Sequence, residues 1–408
     1  MAKMKDKMTR LLRYALLLCL CLVLSAGPAL ANEIVDLCAE GYDSIGYSCC
    51  TLPDGRLIFA GDMGTVGNYA DSRARLLCMN PDMTVSWDYV DPEEGGCRFW
   101  GAAVLKDGTI GTMLDNSPYQ NSVGRKLKFF TQDGQPTGKE IAFSDMESVV
   151  EEAAPSCLWL LSMPEGGGMY YRFYDWDGNL LLQYEGGNSL VNGADVMIEE
   201  EDGLVFAGRE SGPSRCARIM KMDFQGNLLW ETALPMMQQG SYDACISECL
   251  KTEDGGYLAW MSEKGLDISE DATWCYALAK FDANGRLLWK KTEPFEKRAG
   301  VWIGGLTQYN GRLVMEVAPI NHDHSINAAR TFLWMDEEGN ELGTTELVMQ
   351  KEDLQRLANR KKVSRIGTFE LFTTESGLWG CGSFVAENRD YMQEMDSHDD
   401  VFVKIPEL

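Results

Sequence analysis

Apolar residues fall in short runs along this chain, and clusters of Asp, Asn and Gly separate the runs. "ARLLCM", "KLKFF", "YYRFY", "RIMKM", "YALAKF" and "TFLWM" have the length of strands and fall short of the ten or more residues a helix needs. Apolar and polar positions do not alternate cleanly within them. A strand covered on one face alternates, whereas a strand buried on both faces does not. The pattern therefore predicts β-sheets stacked face to face.

A turn follows each run. The copies read "MNPDMTVSW" (79–87), "FTQDGQPTG" (130–138), "YDWDGNLLL" (174–182), "MDFQGNLLW" (222–230), "FDANGRLLW" (281–289) and "MDEEGNELG" (335–343). Gly134, Gly178, Gly226, Gly285 and Gly339 share one column, and Met83 holds that place in the first copy. A chain that reverses within a few residues needs a position of positive φ, which is cheap only for Gly. Asp early in the turn bonds back to main-chain N–H groups. The expected geometry is a type I turn closed by a Gly bulge. Copies recur every ~44–59 residues, the spacing of propeller blades.

A second hairpin signal precedes each run: "LPDGRLIFAG" (52–61), "LKDGTIGTM" (105–113), "EEEDGLVFAG" (199–208), "TEDGGYLAWM" (252–261), "QYNGRLVME" (308–316) and "TESGLWGCG" (374–382). The third unit lacks Asp-Gly at this place. Each unit reads strand, tight turn, strand, variable loop, strand, tight turn, strand, which is a four-stranded antiparallel blade. The fold class expected is all-β, a seven-bladed β-propeller, with blades near 42–90, 99–142, 147–185, 193–234, 243–293, 302–348 and 365–408. The last unit ends at "DVFVKIPEL" without a fourth strand. "EIVDLCA" (33–39) stands where a preceding fourth strand belongs, so it is expected to pair with "DVFVKI" and close the ring, removing an exposed edge. "MQKEDLQRLANRKK" (349–362) reads as a short surface helix between the last two blades.

Charge and the amino terminus add a compartment. Lys3, Lys5, Lys7, Arg10 and Arg13 precede the apolar run "YALLLCLCLVL" (14–24), then Pro28 and the small residues Ala29 and Ala31. This is the pattern of an export signal over residues 1–31, with cleavage expected after Ala31. The apolar run falls short of the ~20 residues of a membrane span, and no second run of spanning length occurs. The mature chain is expected to be secreted or held in the cell envelope, without membrane insertion, and monomeric. The whole chain carries a formal charge of −25, and the part after the signal is more acidic still. No basic stripe offsets that charge, so nucleic acid is not expected as a partner.

Of 13 Cys, Cys19 and Cys21 lie in the signal, leaving an odd number that cannot pair completely within one chain. Cys78, Cys216 and Cys275 sit inside apolar runs, where either buried thiols or a few disulfides fit. Cys49 and Cys50 are vicinal. Neighbours on a strand point to opposite faces, which favours two unlinked core thiols.

The unit of Asp-Gly turn, apolar strand and "D-x-x-G-N-L-L-W" resembles the repeats of secreted bacterial propellers of the quinoprotein-like superfamily, over nearly all of the chain after the signal. The resemblance implies the propeller architecture and leaves the activity open. Dehydrogenases of that superfamily hold a quinone and calcium, and some carry a vicinal disulfide. They usually have eight blades and a fuller Trp-docking motif, whereas this chain shows seven units, with Trp in the last column only at Trp87, Trp230 and Trp289. No cofactor is expected.

Repeated turns would crowd one face of the ring and irregular loops the other, where binding residues usually reside. The loop segments supply Tyr69, Arg73, Tyr119, Arg209, Trp274, His322, His324, Arg330, Arg389 and Tyr391 as candidate binding residues. Rings beside Arg and carboxylates suit a glycan or a peptide or protein partner. No metal site is expected. His322, His324 and His398 would make zinc only if their loops converged, and "DWDGN" (175–179) has Gly186 at the position where a calcium loop needs Glu. HExxH, GxSxG and P-loop patterns are absent. The leading expectation is a non-catalytic binding module; the alternative is a polysaccharide hydrolase or lyase with carboxylates in the central funnel.

Overall fold

The computed structural model describes residues 33–36, 42–65, 68–93, 96–116, 125–143, 148–162, 170–185, 194–209, 216–235, 243–264, 274–292, 301–319, 329–349, 363–386 and 397–408. Every regular element among them is a strand. The chain begins with β1 (Ile34–Asp36). Blade one follows as β2 (Tyr42–Thr51), β3 (Leu57–Thr65), β4 (Asn68–Met79) and β5 (Val85–Val90). Blade two is β6 (Cys97–Val104), β7 (Ile110–Asn116), β8 (Arg125–Phe130) and β9 (Pro136–Phe143). Blade three is β10 (Ser148–Ala153), β11 (Leu158–Ser162), β12 (Tyr170–Tyr174) and β13 (Leu180–Glu185). Blade four is β14 (Ala194–Glu200), β15 (Gly203–Arg209), β16 (Ala217–Met222) and β17 (Leu228–Ala233). Blade five is β18 (Asp243–Lys251), β19 (Tyr257–Lys264), β20 (Trp274–Phe281) and β21 (Leu287–Lys291). Blade six is β22 (Val301–Tyr309), β23 (Arg312–Pro319), β24 (Ala329–Met335) and β25 (Glu341–Val348). Blade seven is β26 (Val363–Thr374), β27 (Gly377–Ala386) and β28 (Ser397–Lys404), completed by β1.

All strands within a blade run antiparallel to their neighbours, and the seven blades form a ring. β1 pairs with β28 through Ile34–Val403, Val35–Phe402 and Asp36–Val401. The amino-terminal strand thus supplies the missing fourth strand, as the sequence requires. Lys404 N–H also donates to the Glu33 carbonyl at 3.0 Å. One parallel bridge, Ser44–Asp399, joins β2 to β28 and links blade seven to blade one.

Among the described residues seven apolar clusters form the core, one at each junction between adjacent blades. This explains the missing alternation. Third strands such as β8, β16 and β24 are buried on both faces, whereas the outer strands β5, β17 and β25 are largely exposed. The junction between blades seven and one holds Leu57, Phe59, Leu77, Met79, Met83, Trp379 and Phe402, with Val35 of the closing strand packed against them.

The turn column has the expected geometry. Gly134, Gly178, Gly226, Gly285 and Gly339 have φ between 72° and 83°. Met83 adopts φ 64° in the same place, and its side chain is buried in the closure junction. In "YDWDGN" the Asp175 carboxylate accepts from the N–H of Asp177 and of Asn179, and a register shift follows at Phe173/Tyr174. The third blade turns through Ala154–Cys157 instead of Asp-Gly, and Trp176 Nε1 donates to the Ala154 carbonyl at 2.9 Å.

"DMGTVGNYADSR" is not an irregular loop. β3 and β4 extend it as a hairpin that pairs Thr65 with Asn68, and Asp71 accepts from both the N–H and the hydroxyl of Thr65. The export signal and the helix expected over 349–362, apart from the buried Met349 that follows β25, lie outside the described residues.

Candidate functional site

The first strand of each blade lies at a sheet edge, except β2, which is bridged to β28, and first strands of adjacent blades pack together from β2 round to β26. Each of these seven inner strands loses register against its partner once or more: at Gly46/Ser48, Trp100/Ala102, Val150/Glu152, Ala194/Val196, Ile246/Glu248, Ile303/Leu306 and Ile366/Phe369. A bulge takes backbone groups out of the ladder and re-aims side chains. Neighbouring blades satisfy two of the displaced amides. Ser48 Oγ accepts from Ala102 N–H at 2.9 Å, and Glu248 Oε2 accepts from Leu306 N–H at 2.5 Å. Ser48 and Glu248 occupy the same place, the first paired residue after the bulge.

Burial raises the pKa of Glu248 to about 7, against the Leu306 hydrogen bond and the nearby Trp260 indole that lower it; Glu370 and Glu316 raise it further. Glu316 is fully buried over Gly304 of the β22 bulge, where a side chain would collide with its carboxylate, and it faces Arg330 Nε at 3.5 Å.

Between the inner strands of blades seven and one the walls part into a pocket of about 290 Å³. β2 contributes Cys49 and Thr51, β22 contributes Thr307, and β26 contributes Glu370, Phe372 and Thr373. Leu57, Phe59 and Cys381 also line it, and Phe59, Phe372 and Phe402 pack together edge to face or tilted, with centroids 4.6–6.1 Å apart. Glu370 and Cys381 are cross-strand partners, so both side chains stand on the blade face toward blade one. The pocket lies beside the ends of β2 and β26 that lead into the short turns, away from the irregular loops. Protein packed around Glu370 raises its pKa, but its side chain is exposed to the pocket, so water softens that effect. Burial, then Glu370, then Cys50 hold the Cys49 thiol well above the usual range, and Cys50 is pushed up to about 12 by burial and Cys78. Neither is a thiolate nucleophile at neutral pH. Cys49 packs at the junction of blades seven and one and Cys50 at that of blades one and two, so the vicinal thiols face apart.

The sequence-named candidates do not gather in one described site. Arg73 is half-buried within β4, Arg209 is exposed at the end of β15, and Arg330 is buried in β24 beside Glu316. Arg330 is therefore a core ion-pair residue rather than a loop residue. Tyr69 and Trp274 fall in β4 and β20, in strand rather than loop, with no described side chain. Tyr119, His322, His324, Arg389 and Tyr391 lie outside the described residues. Among the described residues no three His, Cys, Asp or Glu side chains are placed to hold a metal ion. Sequence reasoning missed Glu370, Thr51 and Thr307. An acid set inside the apolar stretch "TFELF" was the available signal for Glu370.

No family model matches the chain, and no curated protein matches it. Similar solved structures include a protein of unknown function from Bacteroides caccae, with 11% identity over 62% of this chain and 82% of that one and a TM-score of 0.36. The β-propeller domain of the Trilobed protease from Pyrococcus furiosus gives 11% identity over 76% and 98%, with a TM-score of 0.40. The N11 neuraminidase-like protein of A/flat-faced bat/Peru/033/2010 gives 10% over 90% and 99%, with a TM-score of 0.42. These distant likenesses carry no argument about activity.

Proposed function

We propose that the protein is an exported, non-catalytic binding propeller that holds a glycan or a peptide segment of another protein on its loop-side face. One contrast carries this reading. Turn-side connections are short and several repeat one Asp-Gly device, whereas loop-side connections within blades range from the two residues between Thr65 and Asn68 to the ten between Ala386 and Ser397. Diversity on a rigid frame is where recognition is built. The basic start, apolar run and small-residue site of residues 1–31 support export. Trp87, Trp230 and Trp289, each resting on the turn glycine of the next blade, support kinship with quinoprotein-like repeats.

The hydrolase alternative would need a raised general acid with a second carboxylate. Glu248 has the raised pKa, but its carboxylate is engaged by the Leu306 amide in the place Ser48 fills in blade one, a bracing role. A glycan array and a pull-down with residues 32–408 test the proposal. Retention of a glycan or protein that survives without chemical change supports it. Turnover of any retained glycan overturns it.

A further inference from the structure

We propose that the pocket between blades seven and one is a second binding site, taking a small organic ammonium ion with Glu370 as its counter-charge. Its position at the closure junction separates it from the loop-side face. The acids Asp91, Asp115, Glu200 and Glu316, set among the strands, each face a basic side chain: Lys128 at 2.7 Å, Arg125 at 3.0 Å, Lys221 at 2.6 Å and Arg330 at 3.5 Å. Glu370 faces none. Among the described residues it has no ion-pair or hydrogen-bond partner, and no basic side chain lines the pocket. Its side chain is open to the pocket, so its charge is presented to a molecule that enters there.

The rest of the lining fits the same ligand. Thr51, Thr307 and Thr373 offer hydroxyl oxygens as acceptors for ammonium N–H groups. Phe59 and Phe372 offer ring surface to a cation and to its apolar stem. A volume of about 290 Å³ stands at the lower end of ligand pockets, roughly 300 Å³, and admits a small molecule rather than a protein segment. The chain's charge of −25 repels anions and concentrates cations at its surface.

Calorimetric titration of residues 32–408 with 1,5-diaminopentane and with the neutral 1,5-pentanediol, in 0.15 M salt at pH 6, tests this. The expected result is saturable binding of the diamine and no saturable binding of the diol. Glu370→Gln should weaken the diamine at least tenfold without lowering the melting temperature. Thr51→Trp, which fills the mouth, should also abolish binding; it is a second route to the same answer if Glu370→Gln alters folding. Diamine binding that Glu370→Gln leaves intact would mean attraction to the acidic surface alone, and would overturn the proposal. So would equal binding of the diol, or no binding by the wild type.

Discussion

The indole of Trp230, on the outer strand of blade four, covers the Cα of Gly285 in the turn of blade five. Trp87 covers Gly134 and Trp289 covers Gly339 in the same way, and Trp87 Nε1 also donates to the Gln132 carbonyl at 2.9 Å. The column glycine therefore answers two demands: positive φ for the turn, and a bare backbone for the neighbour's ring.

Gly285→Ala should destabilise by about 2–4 kcal/mol, because the methyl group meets both the strained φ and the Trp230 ring. Gly255→Ala should cost only about 1 kcal/mol, since φ is similar at 80° but the space around it is open. Urea unfolding of the two variants checks the contrast. Equal losses would mean that the indole contributes nothing.

Met83 sits at φ 64° although Gly would relax the backbone. Its side chain is buried with Trp379 and Phe402 at the closure junction. Burial outweighs strain there, so Met83→Gly should lose about 1–3 kcal/mol net: a Met truncation of about 2–5 kcal/mol, offset by about 1–2 kcal/mol of strain relief. A gain in stability on urea unfolding would reverse that order.

Lys128 of blade two donates to Asp91, which leads out of blade one and is fully buried. Lys128→Met strands that carboxylate and should cost about 3–5 kcal/mol. Lys128→Met with Asp91→Asn should recover most of the loss, as denaturant melts of the single and double variants would show.

Glu248 gives the ring a pH dependence. Its pKa of about 7 in the fold stands above the ordinary 4.5, so the folded state binds the proton more tightly than the unfolded chain. The stability it confers is complete below pH 4.5 and is lost as pH rises through 7. Glu248→Gln keeps an acceptor for Leu306 N–H without the charge. It should match the wild type at pH 5 and melt roughly 2 °C higher at pH 8, a shift of about 1 kcal/mol or less. Parallel melting curves across that range would remove Glu248 as the titrating group.

The blades were legible because their turns answer a local backbone demand that only a few residues meet. Closure was legible because the last unit lacked a strand and residues 33–39 offered one. Tyr69 and Arg73 misled because Gly64, Gly67 and Asn68 read as loop, whereas Thr65 and Asp71 bind each other and hold a hairpin. The pocket was hidden for another reason. Cys49, Thr307 and Glu370 are far apart in sequence, lie on separate blades, and meet only because the ring closes. No spacing along the chain encodes that meeting.

Closure by β1 places every residue of that junction, so it is the point to test. Ile34 packs at the junction of blades six and seven, and Val35 at that of blades seven and one. Thermal melting of residues 32–408 bearing Ile34→Asp and Val35→Asp together should show a midpoint about 5–10 °C below the wild type. An unchanged midpoint would contradict closure of the ring by the amino-terminal strand.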